Sequence, residues 1–360
     1  MVEPRERVCR LLKEGSRFLV AGHDNPDGDA LGASVALCFI LDALGKEFRL
    51  YNASGMPECF YWITLPGPMY DSIDPLADFG PEWIIILDCG DSKRMGRELM
   101  FAADPKRIVN IDHHPSNTMF GAINWVDTNM CATGHMIALL AQDIDVPLTG
   151  PLAEAIYLAI VADTGNFCYG NTTPTTLQLA VDILLGGLDI TAFNDKYLHQ
   201  WTFNRIRLWS EVLQCTHIYS EGRIALVTIS MDMMKRTNTT HNDCDGLAEF
   251  IRRIRGVDVS IAVREESQDC IKFSLRSRGK INVQHVAAAF GGGGHANAAG
   301  GKVMARLTDA AVNLITAVER LVFTNIPGPS DQATPLMPTD CQRLASAEAL
   351  RHTLKMTPDA

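Results

Sequence analysis

Three short apolar runs, each stopped abruptly by aspartate or histidine, constrain this chain more than any other feature. Phe18–Gly22 leads into His23, Asp24, Asn25, Pro26, Asp27, Gly28 and Asp29. Trp83–Leu87 leads into Asp88, Cys89, Gly90 and Asp91. Arg107–Ile111 leads into Asp112, His113 and His114. Runs this short, apolar and β-branched suit strands of a parallel sheet covered on both faces. Glu47–Asn52 reads as a further strand. Helical patterns lie around them at Arg5–Lys13, Ala30–Leu44, Ala132–Ala141, Pro151–Ala162 and Thr175–Leu185. Alternating strand and helix predicts an α/β fold with a doubly wound parallel sheet over residues 1–190. Ligands of such sheets gather beyond the carboxyl ends of the strands. All three acidic clusters are therefore expected at one edge, with Asp163, at the end of the apolar segment Ala155–Ala162, as a fourth contributor.

A chain of 360 residues is long for a single core and suggests two domains. Residues 191–214 read as a helical linker, with Thr191–Ser210 as its helix. Residues 215–323 read as a second, smaller α/β domain. Its expected strands are His217–Tyr219, Ile224–Ile229, Val257–Arg264 and Cys270–Leu275. Its expected helices are Leu247–Ile254, Val283–Phe290 and Leu307–Val322. Residues 324–360 carry Pro327, Pro329, Pro335 and Pro338, then a short helical pattern at Cys341–Lys355, and read as a loosely attached tail. No internal repeat is evident.

Composition narrows the function classes. Hydrophobic residues at 47% and charged residues at 21% are those of a globular protein. No apolar run reaches the roughly 18 residues that span a bilayer, and the charged N-terminus lacks the apolar core of a signal peptide. No membrane association and a cytoplasmic location are expected. The ten cysteines form no C-x-x-C pair and read as reduced thiols. The net charge of −10 argues against long nucleic acid as a partner. Residues 220–306 nevertheless hold 13 Lys+Arg against 9 Asp+Glu, so an acidic half that suits cations precedes a mildly basic half that suits anions.

The acidic clusters point to metal chemistry. Asp27 and Asp29, two apart in a loop, can present oxygens to a shared region, and Asp29 can also cap the helix after it. Asp88, beside a buried strand, is costly as an ion unless paired or coordinated. Asp91 reads better as a helix cap. Asp112, adjacent to two imidazoles, fits a group that fixes their orientation. Carboxylates and histidines in this number exceed the needs of one ion and suggest two. Oxygen and imidazole donors without thiolate favour Mn²⁺ or Mg²⁺ over zinc, with Co²⁺ also compatible. Paired divalent ions serve in-line phosphoryl displacement, so phosphoester hydrolysis is the expected reaction.

The second signal is Gly291–Gly300, in which four glycines precede His295. Glycines let a backbone approach a ligand and turn its amides toward an anion. Upstream, Arg276 and Arg278 end a strand and suit phosphate contacts.

On His23–Asp29, Asp88–Asp91, Asp112–His114, Asp163–Asn166 and Gly291–Gly300, the chain resembles the DHH phosphoesterases that carry a C-terminal DHHA1 domain. The nearest group within them is the nano-RNase type, oligoribonucleases that also act as phosphatases on 3′-phosphoadenosine 5′-phosphate. The resemblance covers residues 15–305. It implies a doubly wound DHH domain and a smaller α/β DHHA1 domain across a cleft. It implies one ion held by His23, Asp27 and Asp88, and a second held by Asp29, Asp88, His113 and Asp163, with Asp88 bridging. His114 would contact the substrate phosphate. Arg276, Gly293, Gly294 and His295 would bind its terminal phosphate or nucleotide. The implied activity is Mn²⁺-dependent hydrolysis of very short oligonucleotides to mononucleotides and of 3′-phosphoadenosine 5′-phosphate to AMP. The competing activities are hydrolysis of cyclic or linear dinucleotides, pyrophosphate or polyphosphate, and a non-catalytic nucleotide sensor is the reading from another class. Two positions depart from the family: His135 stands where an acidic residue is usual, and Ala296 where a basic residue is common. The sequence leaves a homodimer open.

Overall fold

Six strands form the sheet of the first unit: β1 (Arg17–Ala21), β2 (Glu47–Tyr51), β3 (Met69–Tyr70), β4 (Trp83–Leu87), β5 (Ile108–Asp112) and β6 (Ile123–Val126). Their order is β3-β2-β1-β4-β5-β6, and every pair is parallel. The computed structural model describes residues 3–323 apart from Ala77. The chain divides into two compact units, Met1–Gln200 and Trp201–Ala360. Strand order reverses between β1 and β4, so the loops after these two strands flank the switch point where doubly wound sheets bind ligands.

Alternate strand residues face opposite cores, which explains the uninterrupted apolar runs. Phe18, Val20, Ile85, Leu87, Val109 and Ile111 face one cluster. Leu19, Ala21, Ile84, Ile86 and Ile108 face the other. The helices of this unit are α1 (Pro4–Glu14), α2 (Gly28–Ala43), α3 (Arg97–Ala102), α4 (Thr133–Asp143), α5 (Gly150–Asp163), α6 (Pro174–Leu185) and α7 (Ile190–Leu198). α2 is buried from Gly28 to Cys38 and packs on α4 and α5. The approach depends on absent side chains. A Cβ on Gly32 would lie 2.4 Å from the Ala155 carbonyl oxygen, and one on Gly134 2.2 Å from the Ala159 Cβ. Three helices thus crowd their ends together where the strand loops emerge.

The second unit contains α8 (Phe203–Gln214), β7 (His217–Tyr219), β8 (Ile224–Ile229), α9 (Met231–Thr237), α10 (Leu247–Ile251), β9 (Val259–Ser267), β10 (Cys270–Ser277), α11 (Gln284–Ala289), β11 (Gly293–Gly294), β12 (Ala298–Met304) and α12 (Leu307–Leu321). The sheet order is β11-β12-β10-β9-β8-β7, with only β8 and β9 parallel. Val259, Ile261 and Val263 face α11 and α12, while Ala225, Val227 and Ile229 face α8, α9 and α10.

Several expectations change. Thr191–Ser210 is not one linking helix. It breaks at His199–Thr202 into α7, whose Phe193 is buried in the first unit, and α8, whose Leu208, Trp209 and Val212 belong to a core of the second. Thr202 caps the second helix by accepting from the Arg205 amide at 3.1 Å. The segment Ala298–Met304, given no element from the sequence, is strand β12. The tail 324–360, with its helical pattern at Cys341–Lys355, lies outside the described residues. Among the described residues, no single helix is long and apolar enough to cross a membrane.

Candidate metal centre

The loop after β1 carries His23, which is buried. Its Nδ1 lies 2.9 Å from the Asp24 carbonyl oxygen, and the Asn52 side chain donates to the His23 carbonyl at 2.9 Å. Asp27 is the N-cap of α2: one carboxylate oxygen accepts from the amides of Asp29 and Ala30, both at 3.0 Å. Its other oxygen lies 3.7 Å from His23 Nε2. The cap role expected for Asp29 thus belongs to Asp27.

Asp29 is fully buried in the first turn of α2 and caps a different helix. Its Oδ2 accepts from the Thr133 amide at 2.7 Å and its Oδ1 from the Gly134 amide at 2.8 Å. These are N-terminal amides of α4, whose own N-cap residue, Ala132, supplies no side-chain bond. The exposed N–H groups of a helix start favour an anion there. α4 and α2 therefore fix the carboxylate between them.

Asp88 follows β4 with φ +53. Aspartate is among the few residues that tolerate this left-handed region. The turn aims the side chain inward, where Thr133 Oγ1 donates to Oδ1 at 3.1 Å. Asp88 stands between the imidazoles of His23 and His113, with a third, His114 Nδ1, also 3.5 Å from Oδ1. His23 Nε2 is 3.6 Å from Oδ2, and His113 Nε2 is 3.5 Å from Oδ1. His113 Nε2 is also 3.6 Å from Asp29 Oδ2 and 3.5 Å from Asp163 Oδ2, while its Nδ1 lies 3.2 Å from the Met130 carbonyl oxygen. The Nε2–carboxylate separations exceed a hydrogen bond. They are close to the roughly 3.0–3.4 Å between two donors that each sit about 2.1 Å from one cation.

His114 makes its shortest contact with another carboxylate. Its Nδ1 is 2.7 Å from Asp112 Oδ1, and Asn117 donates to Asp112 Oδ2 at 2.6 Å. Asn117 also donates to Asn110 Oδ1 at 2.8 Å, and Asn110, buried inside β5, donates to the carbonyls of Ile86 and Cys89. Asp112 thus orients His114, not its neighbour His113. Asp163, the last residue of α5, is held by Asn171, which donates to its main-chain carbonyl at 3.1 Å. Asp91 caps the turn Ser92–Arg94 by accepting from the Lys93 amide at 2.9 Å.

Electrostatics follow from this crowding. Burial and the charges of Asp88, Asp163 and Asp27 push Asp29 well above the usual carboxylate range. Burial pushes Asp163 up to about 7, with Asp88 adding to it and His113 opposing. Burial alone would lower His114, but the Asp112 hydrogen bond and the Asp88 and Asp112 charges outweigh it and hold the imidazole at about 9. Carboxylates that repel one another in a dry site are what cations would relieve. Ligand atoms of His23, Asp27 and Asp88 cluster tightly enough to share one ion, as do those of Asp29, Asp88 and His113. The nearby Cys89 and Cys131 thiols are pushed up to about 12, mainly by burial. The donor set is therefore oxygen and imidazole, as hard divalent ions prefer.

Thr133, Asn117, Asn110, Asn52 and Asn171 are site residues that sequence reasoning missed. Asn110, Asn117 and Asn171 lie within a few residues of a motif, but asparagine at those positions carries no metal-ligand signal of its own. His135 is buried beside Cys131, with Nδ1 3.4 Å from its sulfur. From the same helix turn, Asp29 receives only the main-chain amides of Thr133 and Gly134.

In the second unit, Arg276 on β10 pairs in register with Ala298, while Gly293 and Gly294 pair with Gly300 and Ala299. β12 therefore lies between Arg276 and the two glycines. His295 begins the turn into β12, its amide donating to the Ala298 carbonyl at 2.8 Å. Some of the glycines are required by packing: a Cβ on Gly292 would lie 2.2 Å from the Gly300 carbonyl oxygen. A Cβ on Gly293 would meet no atom within 4 Å, so that face stays open to a ligand.

A doubly wound sheet with carboxylates and imidazoles at its switch point defines a phosphoesterase of the metal-centred kind. The profile described as "DHH family, N-terminal domain" matches residues 17–160, and that of the DHHA1 domain matches residues 223–321. The chain belongs to the DHH phosphoesterase family and carries a DHHA1 domain. It is 30% identical to the bifunctional oligoribonuclease and PAP phosphatase NrnA of Thermus thermophilus, over 89% of this chain and 95% of that one. It is 27% identical to the Bacillus subtilis protein of the same description, over 88% and 98%. Among solved structures, an exopolyphosphatase-related protein from Bacteroides fragilis superposes with a TM-score of 0.80 at 27% identity, covering 88% of this chain and 96% of the other.

Proposed function

We propose that this chain hydrolyses very short oligoribonucleotides to mononucleotides and 3′-phosphoadenosine 5′-phosphate to AMP, using two divalent cations, with Mn²⁺ the preferred ion. The observation that carries the reading is the position of Asp88, whose two oxygens each approach a different imidazole, His23 and His113. His23, Asp27 and Asp88 would hold one ion. Asp29, Asp88, His113 and Asp163 would hold the other. Ions so bound supply water activation and stabilise charge on the phosphoryl oxygens. His114, held protonated near neutral pH by Asp112, donates to a phosphate oxygen. Asn117 and Asn110 keep Asp112 from turning away. Arg276, Gly293, Gly294 and His295 take the terminal phosphate or nucleotide of the substrate, Arg276 by charge and the glycines by backbone amides. The relatives named for oligoribonuclease and PAP phosphatase activity support this choice of substrate. The nine cysteines among the described residues are free thiols, in keeping with a reducing, cytoplasmic setting.

One relative is described as exopolyphosphatase-related, so polyphosphate is the rival substrate. A panel with Mn²⁺ decides between them: RNA of two to five nucleotides, 3′-phosphoadenosine 5′-phosphate, cyclic dinucleotide, pyrophosphate and polyphosphate. The expected result is dominant turnover of short RNA and of the bisphosphorylated nucleotide. Dominant turnover of pyrophosphate or polyphosphate would overturn the proposal.

A further inference from the structure

At one end of the second sheet, β10 finishes, β9 and β12 begin, and α10 runs out. Two arginine-rich segments meet there. Residues 249–258 hold Arg252, Arg253 and Arg255, and residues 276–282 hold Arg276, Arg278 and Lys280, against only Glu249 and Asp258. These six cations and two anions give +4, as large as the excess of 13 Lys+Arg over 9 Asp+Glu across residues 220–306. The charge of this half is therefore concentrated in a small part of it.

The two segments are stapled reciprocally. Arg252 Nη1 donates to the Ser277 carbonyl at 2.8 Å, and Arg278 Nη2 donates to the Arg252 carbonyl at 2.7 Å. The Arg278 amide donates to the Asp258 carbonyl at 3.0 Å. Both anions already have partners: Glu249 Oε1 is 2.5 Å from Arg252, and Asp258 Oδ2 is 2.7 Å from Arg223. Arg253, Arg255, Arg278 and Lys280 are exposed and make no ion pair among the described residues. With Glu249 and Asp258 taken by Arg252 and Arg223, the like charges of Arg253, Arg255, Arg278 and Lys280 favour the arrival of an anion.

The patch is continuous with the glycine hairpin. Asn297 Nδ2 donates to the Gly279 carbonyl at 3.1 Å and to the Ile281 carbonyl at 3.0 Å, and the Val283 amide donates to the Ala296 carbonyl at 2.7 Å. The loop carrying Arg278 and Lys280 is thus fastened to the turn that carries His295. Phe250 and Ile254, 43% and 39% exposed, lie in the same segment as the arginines. Cations beside one exposed ring, Phe250, which packs edge-on against Trp209, and one exposed aliphatic side chain suit a single-strand binding track, where backbone phosphates meet charge and a base can rest on an apolar surface.

We infer that Arg253, Arg255, Arg278 and Lys280 form a phosphate track that continues from the Arg276 end of the second unit and binds the phosphodiesters of an oligonucleotide beyond its terminal nucleotide. The inference rests on the proposed oligoribonuclease activity and deepens it. The terminal contacts serve every substrate, whereas the track serves only chains of three or more nucleotides. It sets the preference for length.

The test uses the full chain and the triple variant R253S/R255S/K280S, which leaves Arg276 and the stapling Arg278 in place. Anisotropy of fluorescein-labelled RNA of two and of five nucleotides is measured in EDTA, over about 50–250 mM KCl. Binding is thereby read without turnover. The wild type is expected to bind the pentamer more tightly than the dimer. The variant is expected to weaken the pentamer about fivefold or more while leaving the dimer within about twofold, and to flatten the pentamer's salt dependence by roughly 0.7 per lost phosphate contact. An unchanged melting temperature shows that the fold is intact. Equal weakening of both lengths, no weakening, or a wild type that does not favour the pentamer overturns the track. So does a variant that loses only binding to anionic lipid vesicles, since the patch would then serve a membrane. Hydrolysis of the same RNAs in Mn²⁺ tests the activity separately: a wild type that binds the pentamer by the track yet cleaves neither RNA keeps the track and sinks the proposed reaction.

Discussion

The two units solve opposite electrostatic problems in opposite ways. The first gathers negative charge into a buried site, and the groups that gather it belong to consecutive motifs. Parallel strands all point their carboxyl ends to one edge, so His23, Asp88 and His113, each just past a strand end, meet by topology alone. The second spreads positive charge over a surface, and its cations come from turns that read as ordinary loops. An apolar run ending in aspartate is a statement about location. A run such as Arg252–Arg255 is not, until arginine side chains bonded to carbonyls staple the loop of Arg278 and Lys280 to it.

The comparison is sharpest at the glycines. In the first unit they are needed for helices to touch, so Gly32→Val drives a side chain into the Ala155 carbonyl and costs more than about 3 kcal/mol. In the second, a Cβ on Gly293 would meet nothing within 4 Å. Gly293→Ala then costs less than about 0.5 kcal/mol, and its effect belongs to KM. Chemical denaturation of both variants checks this. Equal destabilisation would break the contrast.

A smaller effect is expected from Asn117→Ala. The change removes the donor that braces Asp112, so His114 loses its fixed orientation. Outer partners of this kind are worth about 10–100-fold in activity. kcat should fall by that range with the melting temperature nearly unchanged. A variant with full kcat would remove His114 from the account.

The smallest effect lies in the second unit. Glu266 binds Arg264 and, at 3.0 Å, Lys302. Burial opposes ionisation, but these partners outweigh it and hold the carboxyl at about 2 instead of 4.5. A depressed folded value stabilises the fold above the unfolded value. That stability is lost as pH falls from about 4.5 toward 2. Urea titrations across this window should show a slope that Glu266→Gln removes. An unchanged slope would mean that the pair adds nothing.

Much of the first unit was legible because a sheet covered on both faces writes its strands as unbroken apolar runs. The residues named from those runs are the ones that converge. What stayed hidden came from long-range contacts. Asp29 caps a helix 104 residues later, and Thr133 reaches Asp88 across 45; neither spacing leaves a local pattern. β12 was missed because Gly300 and Gly301 are required by the close approach of Phe273 and Gly292, and glycine weighs against a strand in any local reading. The break between α7 and α8 was missed because both helices carry apolar residues at helical spacing, while the division depends on which core each one enters.

Asp88 is proposed to be shared by two cations. Calorimetric titration of Mn²⁺ into the full chain tests it most directly. Two ions per chain are expected, with loss or severe weakening of both sites in Asp88→Asn while the fold melts normally. Two ions bound with wild-type affinity by that variant would contradict it.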